Sequence, residues 1–324
     1  MGHPAIPRRA APLTATRLRL AWTVLRDEDH VTTHRSHLLT MSKEGPASPF
    51  SADVPVPARL YDYCLGGKDN FAIDREAVLA VSAQIPEAVD AARANRRFLY
   101  RVVRFLARDA GIRQFLDMGS GLPTRNNVHE VAQRFQPDAR VVYVDHDPIV
   151  VTYGRALLAE DDKTTVITGD MTEPAAILDD PTVRRLIDFS EPVAALFLSV
   201  AHFVAEDAAV HRMLATVLDA LTPGSYLAFS QIVGVSREAA EQSNDIMTAR
   251  GVVWKNRVEA DVVGFLRGLE PVDPGLVNVA EWRPDPFQPR LPRVDEALAP
   301  YLGASAKHKD FMEFGGVVRR LTDR

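Results

Sequence analysis

Residues 114–122 read Gln-Phe-Leu-Asp-Met-Gly-Ser-Gly-Leu, an apolar run that ends in an acid and a Gly-x-Gly turn. The run has the length of a buried strand, and a segment with a helical period of apolar residues follows it, from Val128 to Phe135. Glycines at such a turn let the backbone approach a ligand closely, and a helix amino terminus offers unpaired N–H groups to an anion. The tripeptide alone is weak evidence, because a strand-to-helix turn without a ligand has the same sequence.

The alternation of apolar runs and helical periods continues along the chain. Further apolar runs lie at residues 140–145, 164–168, 193–199 and 226–232, and amphipathic segments separate them. Continuous apolar strands between amphipathic helices predict an α/β fold, a mostly parallel sheet that helices cover on both faces. Because ligands of such a sheet bind beyond the carboxyl ends of its strands, the residues that end the runs form the candidate site.

Composition sets the class of protein. The chain of 324 residues is 46% hydrophobic and 25% charged, which is typical of a globular protein and argues against a disordered or fibrous one. Cys64 is the only cysteine, so neither an internal disulfide nor a multi-cysteine metal site can form, and we expect a cytoplasmic location. The net charge of −5 does not favour nucleic acid as a partner, and no run of about 18 apolar residues predicts a membrane span.

The first 50 residues predict a disordered basic tail. Residues 1–40 carry six Lys and Arg against three Asp and Glu, and they show no sustained helical or strand period. Met41 supports a second interpretation, in which translation begins there and the basic stretch is not part of the protein. Both interpretations stay open.

Between the tail and the first strand, the sequence predicts helices. The apolar residues Leu99, Val102, Val103 and Leu106 repeat at the spacing of one helix face. We therefore expect residues 51–111 to form an N-terminal helical region ahead of the sheet.

Asp145 ends the second apolar run and is the candidate ribose-binding residue. It lies 24 residues beyond Gly121, close to the separation at which an acid reaches the ribose hydroxyls of a nucleoside. A carboxylate can accept both hydroxyl donors at once. The alternative is that Asp145 caps the helix that starts at Pro148. Together with the Gly-x-Gly turn, the spacing favours ribose binding.

The residues around the turn discriminate between nucleoside cofactors. A dinucleotide site normally has a third glycine where Thr124 stands, and Asp117 would repel a phosphate, so both residues disfavour a nicotinamide cofactor. Asp117 instead favours a cationic ligand such as S-adenosylmethionine, which carries an ammonium and a sulfonium. Asp170, at the end of the third run, can accept from an adenine amino group, and His146 and Met171 can cover the purine faces. Alternatively, Asp170 caps a turn and Met171 lies in the core.

Longer stretches of the chain resemble a known family. The stretches are Arg59–Phe71 with the motif Gly-Gly-Lys-Asp-Asn, Ala94–Arg96, Gly111–Thr124, Val144–Pro148, Leu221–Leu227 and Glu270–Leu276. In these residues the chain resembles the S-adenosylmethionine-dependent methyltransferases, and within them a bacterial group often left as a domain of unknown function. The resemblance covers residues 55–320.

The resemblance implies a Rossmann-like class I methyltransferase. Its sheet would have seven strands, mostly parallel with an antiparallel last strand, and residues 277–282 and 314–319 would form the last two. Residues 51–111 would be a helical cap, and residues 112–324 the cofactor-binding domain with a helical insertion at about 236–268. S-adenosylmethionine is the implied cofactor.

The implied site combines several strand ends with the cap. Besides Asp145, Asp170, His146 and Met171, the expected cofactor-binding residues are Asp117, Gly119, Ser120, Gly121, Ser199, Gly67, Lys68 and Arg96. Lys68 and Arg96 would pair with the methionine carboxylate, or Lys68 belongs to a solvated helix cap. His202 is the candidate general base for the acceptor, or it only fills the start of a helix.

The expected activity is methyl transfer to an unidentified small-molecule acceptor. The alternative is a non-catalytic protein of the same fold that binds S-adenosylmethionine or regulates a partner. Tyr61, Tyr63 and Phe71 can line the cofactor pocket or belong to the core of the cap. No metal is expected, because Gln133 stands where an H-E-x-x-H site needs its second histidine.

Overall fold

A mostly parallel β-sheet forms the centre of the structure, a computed structural model that describes residues 54–158 and 162–321. Its strands are β1 Gln114–Met118, β2 Arg140–Asp145, β3 Thr164–Thr168, β4 Ala194–Leu198, β5 Tyr226–Gly234, β6 Glu270–Pro271, β7 Val277–Asn278 and β8 Phe311–Arg319. The order is β3-β2-β1-β4-β5-β8-β6, and β7 also pairs with β8. Strands β1 to β5 are parallel, and β8 lies antiparallel to β5. The predicted tail and the alternative start at Met41 lie outside the described residues.

The predicted fold class is confirmed, with one difference in strand number. Two short strands, β6 and β7, both pair with β8 at the position where the sequence predicted one strand, so the sheet has eight strands rather than seven. Asp273-Pro274-Gly275 separates them. Pro274 has no N–H for the ladder, and Gly275, at φ 96°, closes a turn by donating to Val272 O at 2.7 Å.

Ten helices pack around the sheet in the described ranges. They are α1 Pro57–Leu65, α2 Ala72–Ser82, α3 Ala88–Arg104, α4 Val128–Ala132, α5 Pro148–Leu157, α6 Pro174–Asp179, α7 Pro181–Leu186, α8 Asp207–Ala220, α9 Arg237–Thr248 and α10 Glu259–Phe265. Prolines start α1, α5, α6 and α7, where the missing N–H costs nothing. Asp180 accepts from Thr182 N at the start of α7.

The core lies on both faces of the sheet. One face is covered mainly by α6, α7, α8 and α10, and the other by α3, α4 and α5. The predicted apolar face of α3 packs on the sheet, where Phe98 meets the buried ring of Trp282 edge-on at 5.4 Å. Arg101 on α3 donates to the carbonyl oxygens of Trp282 and Val279. Helices α1 and α2 pack in turn on α3.

Two further observations bear on the predictions. Helices α9 and α10 occupy the segment in which the helical insertion was expected, directly after β5. Over residues 54–158 and 162–321, no helix combines the length and the hydropathy needed to cross a membrane.

The contact between β5 and β8 yields a stability prediction. A Cβ at Gly315 would lie 2.0 Å from Phe229 O, so Gly315→Ala forces the two strands apart. We expect this variant to lose about 2 to 3 kcal/mol in the free energy of unfolding, measured by urea denaturation.

The matched control is Gly264→Ala in α10, where a Cβ meets no atom within 4 Å. This substitution should leave stability unchanged or raise it by at most about 1 kcal/mol, because alanine favours helix. Equal stability of the two variants would contradict the close approach at Gly315.

Candidate functional site

A cavity of about 560 Å³ opens at the carboxyl ends of the parallel strands, between the sheet and helices α1, α2, α3 and α9. Its size falls within the range of about 300 to 1,000 Å³ that is usual for small-molecule sites. Most residues predicted for the site line this cavity, namely Arg96, Asp117, Gly119, Ser120, Gly121, Asp145, His146, Asp170, Met171, Ser199 and His202.

The Gly-x-Gly turn after β1 is fixed to the neighbouring strand β2. Gly119 N and Ser120 N donate to Val144 O at 2.8 and 3.0 Å. Gly119 has φ 77°, and a Cβ there would lie 2.8 Å from Val200 Cγ1. Only glycine therefore fits at this position, and the turn presents backbone rather than side chain to the cavity.

Asp145 joins the ends of β1 and β2. Its two carboxylate oxygens accept from Gly121 N and Asp147 N, both at 2.9 Å. Burial raises the pKa of Asp145, and these two N–H groups act in the opposite direction. Each oxygen keeps a lone pair for a further donor such as a ribose hydroxyl. The alternative prediction, that Asp145 caps α5, is wrong, because Asp147 caps it by accepting from Ile149 N at 2.7 Å.

Asp117 and Arg96 bring a buried acid and a guanidinium together in the lining of the cavity. Burial raises the pKa of Asp117 to about 7, Asp145 adds to the rise, and the Arg96 guanidinium opposes it. Arg96 donates to Arg125 O at 3.0 Å and to Asn127 Oδ1 at 3.2 Å, which fixes its position. An acid beside a guanidinium suits a ligand that carries both an ammonium and a carboxylate.

The end of β3 forms the outer wall of the cavity. Asp170 Oδ1 accepts from both the backbone N and the hydroxyl of Thr172, at 2.8 and 2.7 Å, so Asp170 caps a turn while it lines the cavity. Met171 is half-buried and also packs against the core. His146 is exposed at the opening. Asp170 can therefore cap a turn and still offer an acceptor to a ligand, and Met171 can belong to the core and still line the cavity.

His202 lies in the cavity wall in an environment that weakens it as a base. It is part of a 3₁₀ turn, Ala201–Phe203, and its ring lies 4.1 Å from that of Trp254, centre to centre. Burial, reinforced by Arg257, lowers the pKa of His202 to about 3. The imidazole is therefore neutral near neutral pH and holds a proton poorly, whereas a general base works best with a pKa near the operating pH.

Gly67 and Lys68 do not line the cavity, contrary to the prediction. Asp62 organises their turn, because its Oδ2 accepts from Asp69 N at 2.9 Å and Asn70 Nδ2 at 2.8 Å. A Cβ at Gly67 would overlap the Asp62 carboxylate at 1.8 Å, so the glycine makes room for a structural contact. Lys68 is exposed, as the alternative of a solvated helix cap predicted.

The aromatic residues of the first helices divide between cavity and surroundings. Tyr61 lines the cavity, whereas Tyr63 is buried in a separate core cluster with Val78 and Leu298. Phe71 is 42% exposed and lies 4.7 Å beneath the guanidinium carbon of Arg59. Only Tyr61 of the three contacts the candidate site.

Four polar or aromatic residues at the site were not predicted. Asn95 on α3, Trp254 after α9 and Glu313 on β8 line the cavity, and Ser230 on β5 accepts from the backbone N of the lining residue Ser199 at 3.0 Å. Burial raises the pKa of Glu313 to about 8. A single acid inside the apolar strand Phe311–Arg319 is the sequence signal that could have identified Glu313. The other three carry no local signal, because their role depends on distant contacts.

The chain matches the model of the S-adenosyl methyltransferase family over residues 43–320. It belongs to this family. The predicted resemblance and the predicted cofactor, S-adenosylmethionine, are therefore confirmed. A comparison with curated proteins found no significant match.

Two solved structures of high similarity share the fold of this family member. A candidate methyltransferase from Thermobifida fusca YX is 41% identical, covers 87% of this chain and 100% of its own, and superposes with a TM-score of 0.73. A DUF574 family protein from Streptomyces avermitilis MA-4680 is 38% identical, covers 83% of this chain and 98% of its own, with a TM-score of 0.70.

The donor set of the methyltransferase cavity fits S-adenosylmethionine. The Gly119 turn provides a place where backbone approaches a ligand, and the Asp145 carboxylate keeps lone pairs for hydroxyl donors. Asp117 and Arg96 match the charges of an amino-acid end. Among the described residues, no three His, Cys, Asp or Glu side chains cluster as metal ligands.

The raised pKa of Asp117 predicts a pH-dependent stability. A carboxyl with a raised folded-state pKa stabilises the protein fully below its unfolded pKa, and this contribution is lost as pH rises toward the folded value. Relative to the wild type, Asp117→Asn should therefore gain stability between about pH 4 and pH 7 and then level off. Urea unfolding of both cofactor-free proteins across this range measures the difference. A difference that does not change with pH would contradict the buried, protonated Asp117.

Proposed function

We propose that this protein transfers a methyl group from S-adenosylmethionine to a small-molecule acceptor that binds in the same cavity. The observation that carries the proposal is the composition of the cavity of about 560 Å³. One part contains the polar strand ends from Asp117 to Asp170, and the other has apolar walls from α2, α9 and β5. The two parts suit a polar cofactor and a second, less polar ligand.

The cofactor position follows from the donors and charges of the strand ends. In this proposal the Asp145 carboxylate accepts hydrogen bonds from the ribose hydroxyls of S-adenosylmethionine. The adenine ring of the cofactor lies near Asp170, Met171 and His146. The amino-acid end lies between Asp117, which faces its ammonium, and Arg96, which faces its carboxylate. The Gly119-Ser120-Gly121 backbone lies against the cofactor, and Ser199 lies beside the reacting end.

The protein's own contribution is alignment and exclusion of water. When bound, S-adenosylmethionine supplies a methyl group that its sulfonium already activates. The chain has to hold the acceptor in line with that methyl group and to keep the reaction away from solvent. Helices α1 and α2 line the cavity opposite the strand ends, with residues such as Leu60 and Val81, and we propose that they are the cap.

Apolar side chains define the space left for the acceptor. The walls away from the cofactor position are formed by Val81, Ile85, Phe203, Val204, Ile232, Met247, Val252 and Trp254. Such walls favour an acceptor with an apolar body, since its burial removes apolar surface from water. The nucleophilic atom then lies at the polar end, near Ser199.

The second candidate function is a non-catalytic protein that binds S-adenosylmethionine or regulates a partner. The feature in its favour is the burial of His202, which lowers its pKa to about 3 and makes the base predicted from the sequence a weak one. Two measurements separate the candidates. Titration calorimetry reports cofactor binding, and a screen of small amines, phenols and carboxylic acids for release of S-adenosylhomocysteine reports turnover.

We expect saturable binding of S-adenosylmethionine and release of S-adenosylhomocysteine with at least one acceptor class. A folded sample that binds no cofactor would contradict both candidates. Cofactor binding without turnover on any class would favour the non-catalytic one.

The ribose assignment is tested by Asp145→Asn. The variant loses carboxylate acceptors, and two hydrogen bonds to a charged group are together worth enough to weaken S-adenosylmethionine binding by about 100-fold. Calorimetry measures the dissociation constant. The matched control is Asp180→Asn, which alters the helix cap of α7 outside the cavity and should leave the affinity unchanged. An unchanged affinity in Asp145→Asn removes Asp145 from the site.

A further inference from the structure

Glu313 is a buried acid in the cavity that the proposed cofactor contacts do not use. It lies on β8 opposite Ile232 of β5 and is 2% exposed. Its carboxyl group forms hydrogen bonds with the hydroxyls of Ser199 and Ser230. Its other oxygen, Oε1, has no hydrogen-bond partner among the described residues, although the side chain lines the cavity.

A chain of hydrogen bonds leads from Glu313 across the cavity wall. Ser230 Oγ donates to Asn95 Oδ1 at 2.7 Å, and Asn95 Nδ2 donates to Tyr61 Oη at 2.8 Å. Tyr61 Oη donates to Ala92 O at 3.0 Å. Ser230 has one hydroxyl hydrogen, which it donates to Asn95. Its oxygen can therefore accept a hydrogen bond from the Glu313 carboxyl group. A proton on Glu313 therefore suits the contact with Ser230, whereas the Ser199 hydroxyl can donate to the carboxyl group in either state, and Oε1 keeps no partner among the described residues.

Cations are scarce around this acid. Five acidic residues line the cavity, Asp117, Asp145, Asp147, Asp170 and Glu313, while the described lining residues include one guanidinium, that of Arg96, and no lysine. S-adenosylmethionine adds two positive charges and one negative charge. A cavity with this balance favours a second ligand that is cationic. Glu313 bonds to Ser199 at the polar part of the cavity and lies opposite Ile232 of the apolar wall, so it can meet the charged end of a ligand whose body contacts that wall.

We propose that Glu313 is the catalytic base for an amine acceptor with an apolar body, such as an arylalkylammonium. The proposal rests on the methyltransferase function proposed above. Trp254 and Phe203 line the same cavity with their ring centres 5.5 Å apart, and aromatic rings suit both an apolar body and a positive charge.

The proton and electron balance of the step is as follows. The approach of the ammonium lowers the pKa of Glu313, which gives its resting proton to solvent and becomes the carboxylate. The carboxylate then takes one proton from the ammonium, which leaves a neutral amine. The nitrogen lone pair forms the bond to the methyl carbon while the methyl–sulfur bond breaks, and its electron pair stays on sulfur. The products are a methylated ammonium and S-adenosylhomocysteine.

Few protein groups in the cavity change charge near neutral pH and could therefore set the pH dependence of turnover. Tyr61 on α1 has a pKa raised by burial and by Glu313, and His202 titrates near pH 3, so neither changes charge close to pH 7. Arg96 on α3 stays charged although burial lowers its pKa, and α9 contributes only Ser243 and Met247 to the cavity. Asp117 also titrates near pH 7, so the profile is measured with S-adenosylmethionine at saturation.

The test measures release of S-adenosylhomocysteine from the full chain with phenethylamine and tryptamine as probes, and with 2-phenylethanol as the matched neutral probe. We expect turnover with at least one amine and none with the alcohol. Glu313→Gln should lower kcat/KM for the amine by about 100-fold. The affinity for S-adenosylmethionine, measured by calorimetry, should change by less than about twofold. The wild-type rate should fall below a break at or under about pH 8, whereas the residual rate of Glu313→Gln should follow the free neutral amine alone and fall steadily with decreasing pH, without that break.

Two further variants serve as controls. Glu270→Gln changes an exposed glutamate on the edge strand β6 and should behave as the wild type. Glu313→Asp keeps the acid but withdraws it by one methylene, so it should retain the pH profile at a reduced rate. This variant replaces Glu313→Gln if the latter does not fold.

The outcomes distinguish the role proposed for Glu313 from the methyltransferase function on which it rests. Absence of cofactor binding in the wild type contradicts the methyltransferase proposal itself. Cofactor binding with equal amine turnover in wild type and Glu313→Gln overturns the role of Glu313. Cofactor binding with turnover of the alcohol only, or of no probe, overturns the assignment of an amine acceptor.

Discussion

The carboxylate of Asp145 connects the two strand ends on which the whole site depends. By accepting from Gly121 N and Asp147 N it fixes the turn after β1 against the start of α5. A parallel sheet brings the carboxyl ends of its strands to one edge. The connection therefore places the backbone of the Gly-x-Gly turn and the Asp145 carboxylate on the same side of the cavity. Without it the Gly-x-Gly turn would have no defined position relative to the end of β2 and the start of α5. The same side chain thus has a structural role and keeps lone pairs for a ligand.

Buried charged residues hold the other walls of the cavity in place. Asp74 accepts from Val56 N and Phe71 N and pairs with Arg59 at 2.9 Å, which joins the starts of α1 and α2. Arg257 donates to the carbonyl oxygens of Ala201 and Val204, at both ends of the turn that contains His202. In each case a charged group satisfies backbone atoms of a loop rather than a ligand. Contacts within the chain therefore hold the starts of α1 and α2 and the turn after β4 in place.

The sequence predicted what depends on local pattern. Apolar runs and helical periods identified β1 to β5 and the face of α3, and the spacing between Gly121 and Asp145 placed both residues at one cavity. Contacts between residues far apart in the sequence could not be predicted from such patterns. Whether Gly67 faces a ligand or the Asp62 carboxylate depends on the path of the chain, and the motif around it has the same composition in either case. Glu313 reaches the cavity only because β8 inserts antiparallel beside β5, a register that no local pattern contains.

The two acids with raised pKa values link cofactor and acceptor through charge. Asp117 and Glu313 are both costly to ionise in an empty cavity, because burial disfavours their charged forms. In the proposed arrangement a cationic cofactor offsets this cost at Asp117, and its sulfonium lowers the pKa of Glu313 as well, which makes the carboxylate available for an ammonium. Methyl transfer removes the sulfonium charge, so the pKa of Glu313 rises again. The acid then keeps the proton that it took from the ammonium and pairs less strongly with the methylated ammonium, so the charge that promotes binding of the acceptor is lost in the steps that make the product.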